Sequence, residues 1–246
     1  MRQATPRVLV GIATVTPDRR FVESLPAFSQ DVGKKGLAHL DFLWVWNKPL
    51  VEAQNEMAEV MRQGDHDYLL TLEDDHWAFT GAMLEACLKT GAEVSAISYR
   101  SRHFPFPMLP ERFMKTDAKG VRRFTPFRSP PPQQESDLCG FGFTLIAKRV
   151  FEVLDQPTFR LNTQYYKGVG PHATDIDFCY RVQAKGMRIV GCFDHILPHR
   201  EITEEGYKSM VVNGILAKHS MFTYMQELAK KGELRKKGLT KGAINA

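Results

Sequence analysis

The sequence predicts an α/β domain built on a doubly wound, mainly parallel sheet. Apolar runs of strand length alternate with amphipathic segments of helical period from residue 7 to residue 98. That alternation is the pattern of parallel strands joined by crossover helices. The polar clusters fall just past the strand ends, where such sheets bind their ligands.

The elements follow in order. Arg7 to Ala13 reads as a buried strand broken by Gly11, and Thr14 to Asp18 as a loop. Pro17 is placed to open a helix carrying Phe21, Leu25 and Phe28. A second strand, Leu40 to Trp46, ends at Asn47, and Leu50, Ala53, Met57 and Val60 recur at helical spacing after it. Asp67 to Leu72 is a third strand that runs straight into Glu73-Asp74-Asp75. A helix from about Ala78 to Lys89 and a strand from Glu93 to Ser98 complete the alternation. Residues 99–135, rich in proline and arginine, read as an irregular insertion with a hairpin around Asp117-Ala-Lys-Gly120. Cys139 to Ile146 then reads as a strand leading into a helix from about Lys148 to Leu154. After a loop, Arg160 to Ala173, a helix from Asp175 to Lys185 stops at Gly186, and a strand runs from Arg188 to about Phe193. Apolar residues from Tyr207 to Met225 lie on one side of a helix expected over 201–231, with a basic tail beyond it.

The chain has 246 residues, enough for one α/β domain with a small appendage. Its net charge of +5 suits an anionic ligand without demanding one. The four cysteines are dispersed with no C-x-x-C pair, which argues against a zinc ribbon or a disulfide framework and for free thiols. No run is long and apolar enough for a membrane span or a signal peptide, so a cytoplasmic protein is expected.

Three features carry chemistry. In Leu72-Glu73-Asp74-Asp75-His76, three consecutive carboxylates end an apolar strand and repel one another. A divalent cation and a diphosphate relieve that repulsion, because Mg²⁺ and Mn²⁺ favour hard oxygen ligands. Alone, such a triplet would more often cap the next helix. In Thr174-Asp175-Ile176-Asp177-Phe178, two carboxylates straddle a helix start, where the macrodipole keeps a carboxylate ionised and fit to be a general base. Either can be the base and the other the cap. Past the next strand, His199 is placed to complete a cation's coordination shell.

Taken in order, these features resemble the GT-A glycosyltransferases, especially inverting family 2. Leu72-Glu73-Asp74-Asp75 is similar to the D-x-D motif that ends a strand in that family, with Glu at the first acidic position. Cys139-Gly-Phe-Gly-Phe-Thr-Leu-Ile146 resembles its small-residue segment, and Thr174 to Phe178 with Arg181 and Gly186 its E-D-hydrophobic-D helix start, with Thr for the first acid. His199 matches the later histidine, and Ala53-Gln54-Asn55 the A-R-N before the third strand, with Gln for Arg. The resemblance covers residues 6–200 and implies a GT-A catalytic domain over 1–200. In it, 1–98 form a nucleotide-binding half and 99–200 an acceptor and catalytic half, with 201–246 as C-terminal helix and basic tail.

It also implies roles. Asp75 and His199 would ligate Mn²⁺ or Mg²⁺. Ala13, Thr14, Asn47, Asn55, Glu73 and Asp74 would bind a nucleotide-diphosphate sugar. Gly140, Phe141 and Gly142 would line the acceptor site, and Asp175 or Asp177 would deprotonate the acceptor hydroxyl. A glycan or small molecule is the expected acceptor. A hydroxylated base in DNA is the minority alternative, resting on the interleaved arginines and phenylalanines of 100–128. Two further alternatives are a metal-dependent nucleotidyl or phosphoryl transferase, for which no P-loop is present, and a sugar-nucleotide binding module without turnover.

Overall fold

The computed structural model describes residues 4–100, 108–116, 122–127, 130–160, 174–202 and 209–211. Strand β1 (Arg7–Thr14) pairs in parallel with β2 (His39–Trp46) on one side and β3 (Tyr68–Glu73) on the other. Helix α1 (Arg19–Lys35) joins β1 to β2, and α2 (Leu50–Gln63) joins β2 to β3. Helix α3 (Gly81–Lys89) leads from β3 to β4 (Val94–Arg100). The short β5 (Met108–Leu109) hydrogen-bonds back onto β4. Next come β6 (Glu111–Thr116), β7 (Arg122–Pro126), β8 (Gln133–Glu135), β9 (Phe143–Ala147) and α4 (Lys148–Val153). Helix α5 (Thr174–Ala184) and β10 (Ile189–Ile196) precede a pair of short strands, β11 (Arg200–Ile202) and β12 (Ser209–Val211).

The main sheet runs in the order β2-β1-β3-β9-β4-β10-β8. It is mixed rather than mainly parallel. β9 lies antiparallel between β3 and β4, and β8 is antiparallel to β10 at the edge. The reason lies in where β9 starts. The turn at 139–142 sits at the carboxyl end of β3, where the Glu73 N–H donates to the Gly142 carbonyl at 3.4 Å. A strand entering from that end must run back against its neighbours. Three parallel pairings remain, β1 with β2, β1 with β3 and β4 with β10.

Helix boundaries follow local chemistry. α1 starts after Asp18, whose carboxylate accepts the Arg20 N–H at 2.9 Å, so Asp18 and not Pro17 opens it. α3 starts at Gly81 and not near Ala78, because Ala78 takes a positive φ of 59° and Thr80 is the cap. Phe21 and Phe28 of α1 meet Phe79 and, through Phe28, Phe143 of β9 in edge-on and tilted contacts that form the heart of the core. Each such ring contributes about 1.5–3 kcal/mol by leaving water. α1 packs on α3 and α2 on α4.

The insertion is more ordered than its composition suggested. β6 and β7 form the expected hairpin, whose turn lies outside the described residues, and β8 joins the main sheet. Phe127 packs edge-on against Phe193 at 5.5 Å. The side chains of Arg100, Arg122, Arg123 and Phe124, and all of Arg102, Phe104, Phe106 and Arg128, lie outside the described residues. So does the expected loop from residue 161 to 173. The helix expected over 201–231 is contradicted where the chain is described: Arg200–Ile202 and Ser209–Val211 pair as antiparallel strands. Cross-strand pairing wins there over helical spacing of the apolar residues. The rest of that segment lies outside the described residues. The four cysteines are buried thiols, with the Sγ atoms of Cys139 and Cys179 3.7 Å apart. Among the described residues no helix is long and apolar enough to cross a membrane.

Candidate metal centre

β3 delivers its acidic residues to the carboxyl edge of the sheet, and the chain turns there, with the His76 N–H donating to the Glu73 carbonyl at 3.2 Å. That turn separates the three carboxylates. Asp74 points to β1, where the Thr14 hydroxyl donates to its carboxylate. Its carbonyl accepts the Asp18 N–H at 3.2 Å, so the first loop is tied down onto the triplet. Asn47, in the left-handed region at φ 54°, donates its N–H to the Thr14 carbonyl at 3.0 Å. Thr14, Asn47 and Asp74 are thus one connected group, with Ala13 beside Glu73 in the β1–β3 register. Glu73 stays partly exposed.

Asp75 turns inward. Its Oδ1 lies 3.0 Å from Nδ1 of His76, and its Oδ2 lies 3.4 Å from Nε2 of His199. The two imidazoles stack in parallel, with centroids 4.3 Å apart and planes within 4°. Backbone pairing sets this up: His76 and His199 form an isolated antiparallel bridge, and the Arg200 N–H donates to the Asp75 carbonyl at 2.9 Å. Tyr99 closes the far side, edge-on to His76 at 4.6 Å and to His199 at 5.6 Å. Asp75, His76 and His199 each offer a ligand atom within 4.8 Å of the others, and all three are buried. This group could hold a metal ion. Burial alone would raise the Asp75 carboxyl, but hydrogen bonds from His199 and His76 and their charges outweigh it and hold it far below the usual range.

His76 is the member of this group that the sequence alone does not point to. The signal was its place directly after Asp75, but only the bridge to His199 turns its ring inward. The glycines of 140–142 have a packing reason. A Cβ on Gly142 would stand 2.7 Å from Cε1 of His76, and one on Gly140 would stand 1.8 Å from the Tyr99 hydroxyl. Phe141, expected at the acceptor site, is instead core, with its ring 5.4 Å from both Phe159 and Phe178. Asn55, expected in the nucleotide pocket, clamps the chain at Phe159. Its Nδ2 donates to the Phe159 carbonyl at 2.7 Å and its Oδ1 accepts the Phe159 N–H at 3.0 Å.

The two aspartates of α5 part company. The Asp177 side chain is fully buried, 3.0 Å from Nε of Arg160 and 3.8 Å from Nη1 of Arg181. Arg181 in turn donates to the carbonyls of Asp155, Pro157 and Thr158, so Asp177 belongs to a structural network. Asp175 is only partly covered, and its carboxylate accepts the Ile176 N–H at 2.9 Å. Burial pushes it up to about 6, against the pull of the backbone N–H groups of Ile176 and of Asp175 itself. Burial raises the Tyr99 hydroxyl well above its ordinary value, and the charges of Glu73 and Asp175 act in the same direction.

No family model matches the chain, and neither does any curated protein. Among solved structures it is similar to the one titled "Crystal Structure of A197 from STIV", with a TM-score of 0.49 and 17% identity over 84% of this chain and 94% of that one.

Proposed function

We propose that this protein is a metal-dependent glycosyltransferase of the GT-A kind. It would move a sugar from a nucleotide-diphosphate donor to an acceptor hydroxyl. The observation that carries the reading is the Asp75–His76–His199 cluster at the carboxyl end of β3, directly beside the Thr14–Asp74 pair. Three buried donors converging from two distant segments fit a divalent cation. Two imidazoles and one carboxylate favour Mn²⁺ over Mg²⁺, which prefers an all-oxygen shell. A cation bound there would supply positive charge against the diphosphate as that group departs.

The chain's own residues supply the rest. Thr14, Asn47 and Asp74 form a preset wall for the nucleoside. Asp175 is the base: its carboxylate takes the proton of the acceptor hydroxyl as the acceptor oxygen bonds to the anomeric carbon. The bond from that carbon to the diphosphate oxygen breaks, and the electron pair leaves with the diphosphate. A carboxyl raised to about 6 is still ionised near neutrality and more basic than an ordinary aspartate, which suits this step. Asp177, locked to Arg160 and Arg181, leaves Asp175 as the available carboxylate.

The test is incubation with a panel of nucleotide sugars and Mn²⁺, measuring free nucleotide diphosphate. The wild type should release it with at least one donor, and Asp75→Ala and His199→Ala should abolish release. Silence with every donor refutes the reading, and release of pyrophosphate would instead establish nucleotidyl transfer.

A further inference from the structure

Strand β2 forms one edge of the main sheet, and among the described residues it pairs with β1 alone. It runs beside β1 in unbroken register, with no bulge, and it contains no proline and no lysine. Those are the devices that commonly keep a sheet edge from pairing with another strand. The ends of β2 show which backbone groups are open. The His39 N–H donates to the Pro6 carbonyl at 2.9 Å and the Asn47 N–H to the Thr14 carbonyl at 3.0 Å. Successive residues of a parallel strand bond to opposite sides, so the odd-numbered residues of β2 turn to β1. Leu40, Phe42, Trp44 and Trp46 therefore turn their N–H and carbonyl groups to the open edge.

The same four residues carry their side chains on one face of the strand. Trp44 meets Phe21 of α1 edge-on at 6.0 Å, and Trp46 stacks on Trp44 at 5.4 Å with planes within 12°. Phe42 and Trp46 are nevertheless 39% and 49% exposed. Side chains already ordered in this way lose little freedom when another strand joins them. Charge does not oppose a copy of the same strand. Asp41 is held within the chain by Arg7 at 3.1 Å and His66 at 3.0 Å.

The strand is complementary to itself. With a two-fold axis through Leu43, an antiparallel copy sets Phe42 opposite Trp44 and Leu40 opposite Trp46. These residues have the outward backbone groups, so each such pair exchanges two hydrogen bonds and brings its apolar side chains together. Asp41 then falls opposite Val45 of the second copy and not opposite another Asp41. We propose that the chain forms a two-fold dimer through antiparallel pairing of β2 with β2 of a second copy, centred on Leu43. The two main sheets then run on as one. The proposal is independent of the transferase reading.

The test is sedimentation velocity on the full chain over a concentration series reaching about 100 µM. The wild type should dimerise, and Phe42→Lys, which sets a cation against Trp44 of the second copy, should weaken the dimer at least tenfold. Val153→Lys, at an exposed apolar residue of α4, should leave it unchanged. A cross-link measures the register without altering Phe42. Leu43 would meet its own copy at a non-hydrogen-bonded position, where Cα atoms lie about 4.5 Å apart and a disulfide can form. The four native cysteines are buried. Diamide takes up the electrons and protons that two thiols release, and it should link Leu43→Cys chains into a covalent dimer. His39→Cys chains, whose thiols would lie at opposite ends of the paired strands, should stay unlinked. A monomer at every concentration overturns the proposal, and so does a dimer that Phe42→Lys leaves within threefold of wild type. No cross-link in Leu43→Cys, or an equal one in His39→Cys, overturns it as well.

Discussion

Replacing Gly142 by alanine should damage the candidate metal centre without changing any of its three candidate ligands. The added Cβ would stand 2.7 Å from Cε1 and 2.8 Å from Nε2 of His76, and 3.1 Å from Cε1 of Tyr99. Carbon contacts settle at about 3.5–4.0 Å, so the imidazole must retreat by about 1 Å. It has nowhere to go: His76 is fully buried, stacked on His199 and edge-on to Tyr99. Overpacking of this kind costs about 1–3 kcal/mol. In a chain of 246 residues that lowers the melting temperature by roughly 2–12 °C. Metal–ligand distances tolerate only about 0.2 Å, and disturbing the groups that orient a ligand typically costs about 10–100-fold in metal affinity. The assay is Mn²⁺ binding followed by electron paramagnetic resonance of the free ion, with circular dichroism to confirm folding. Gly33→Ala is the control, since its Cβ would meet nothing within 4 Å. A folded Gly142→Ala protein that binds Mn²⁺ like the wild type would refute the assignment of His76 as a ligand.

Three other outcomes follow from the carboxylates. Asp177→Asn removes a buried carboxylate that lies 3.0 Å from the half-exposed Arg160 and 3.8 Å from the buried Arg181, and urea unfolding should show a loss of about 1–3 kcal/mol. Unchanged stability with abolished transfer would make Asp177 the base instead. With Asp175 as base, kcat/KM should rise with pH to a plateau above about 6, and Asp175→Asn should abolish transfer without moving the melting temperature downward. A flat profile from pH 5 to 8 would contradict that role. Glu111 holds its proton up to about 7 in the folded chain, while the unfolded chain releases it near the ordinary glutamate value. The folded form therefore binds more protons across that window. Stability from this group is greatest at low pH and is lost as pH rises toward 7. Glu111→Gln should remove that slope and raise the melting temperature at pH 8, and a lower melting temperature there would show that the carboxylate is satisfied in the fold.

What the sequence determined by itself was local. Runs such as Tyr68–Leu72 and spacings such as Phe21, Leu25 and Phe28 mark strands and helices because side-chain direction repeats with a short period along the chain. The placement of Asp75 just past a strand end followed from the same periodicity, while its candidacy as a ligand came from the resemblance to the GT-A glycosyltransferases. The direction of β9 did not follow, because it depends on which edge of the sheet the preceding turn at 139–142 occupies. The different surroundings of the two α5 aspartates were equally invisible: they lie two residues apart, and Arg160 from before the helix and Arg181 one turn along it hold one of them in the core. The same holds at the candidate metal centre. Adjacency put His76 after Asp75, but the bridge to His199 is what aims both imidazoles at one carboxylate. Ligand convergence is a relation between segments far apart in the chain, and no pattern within one segment encodes it.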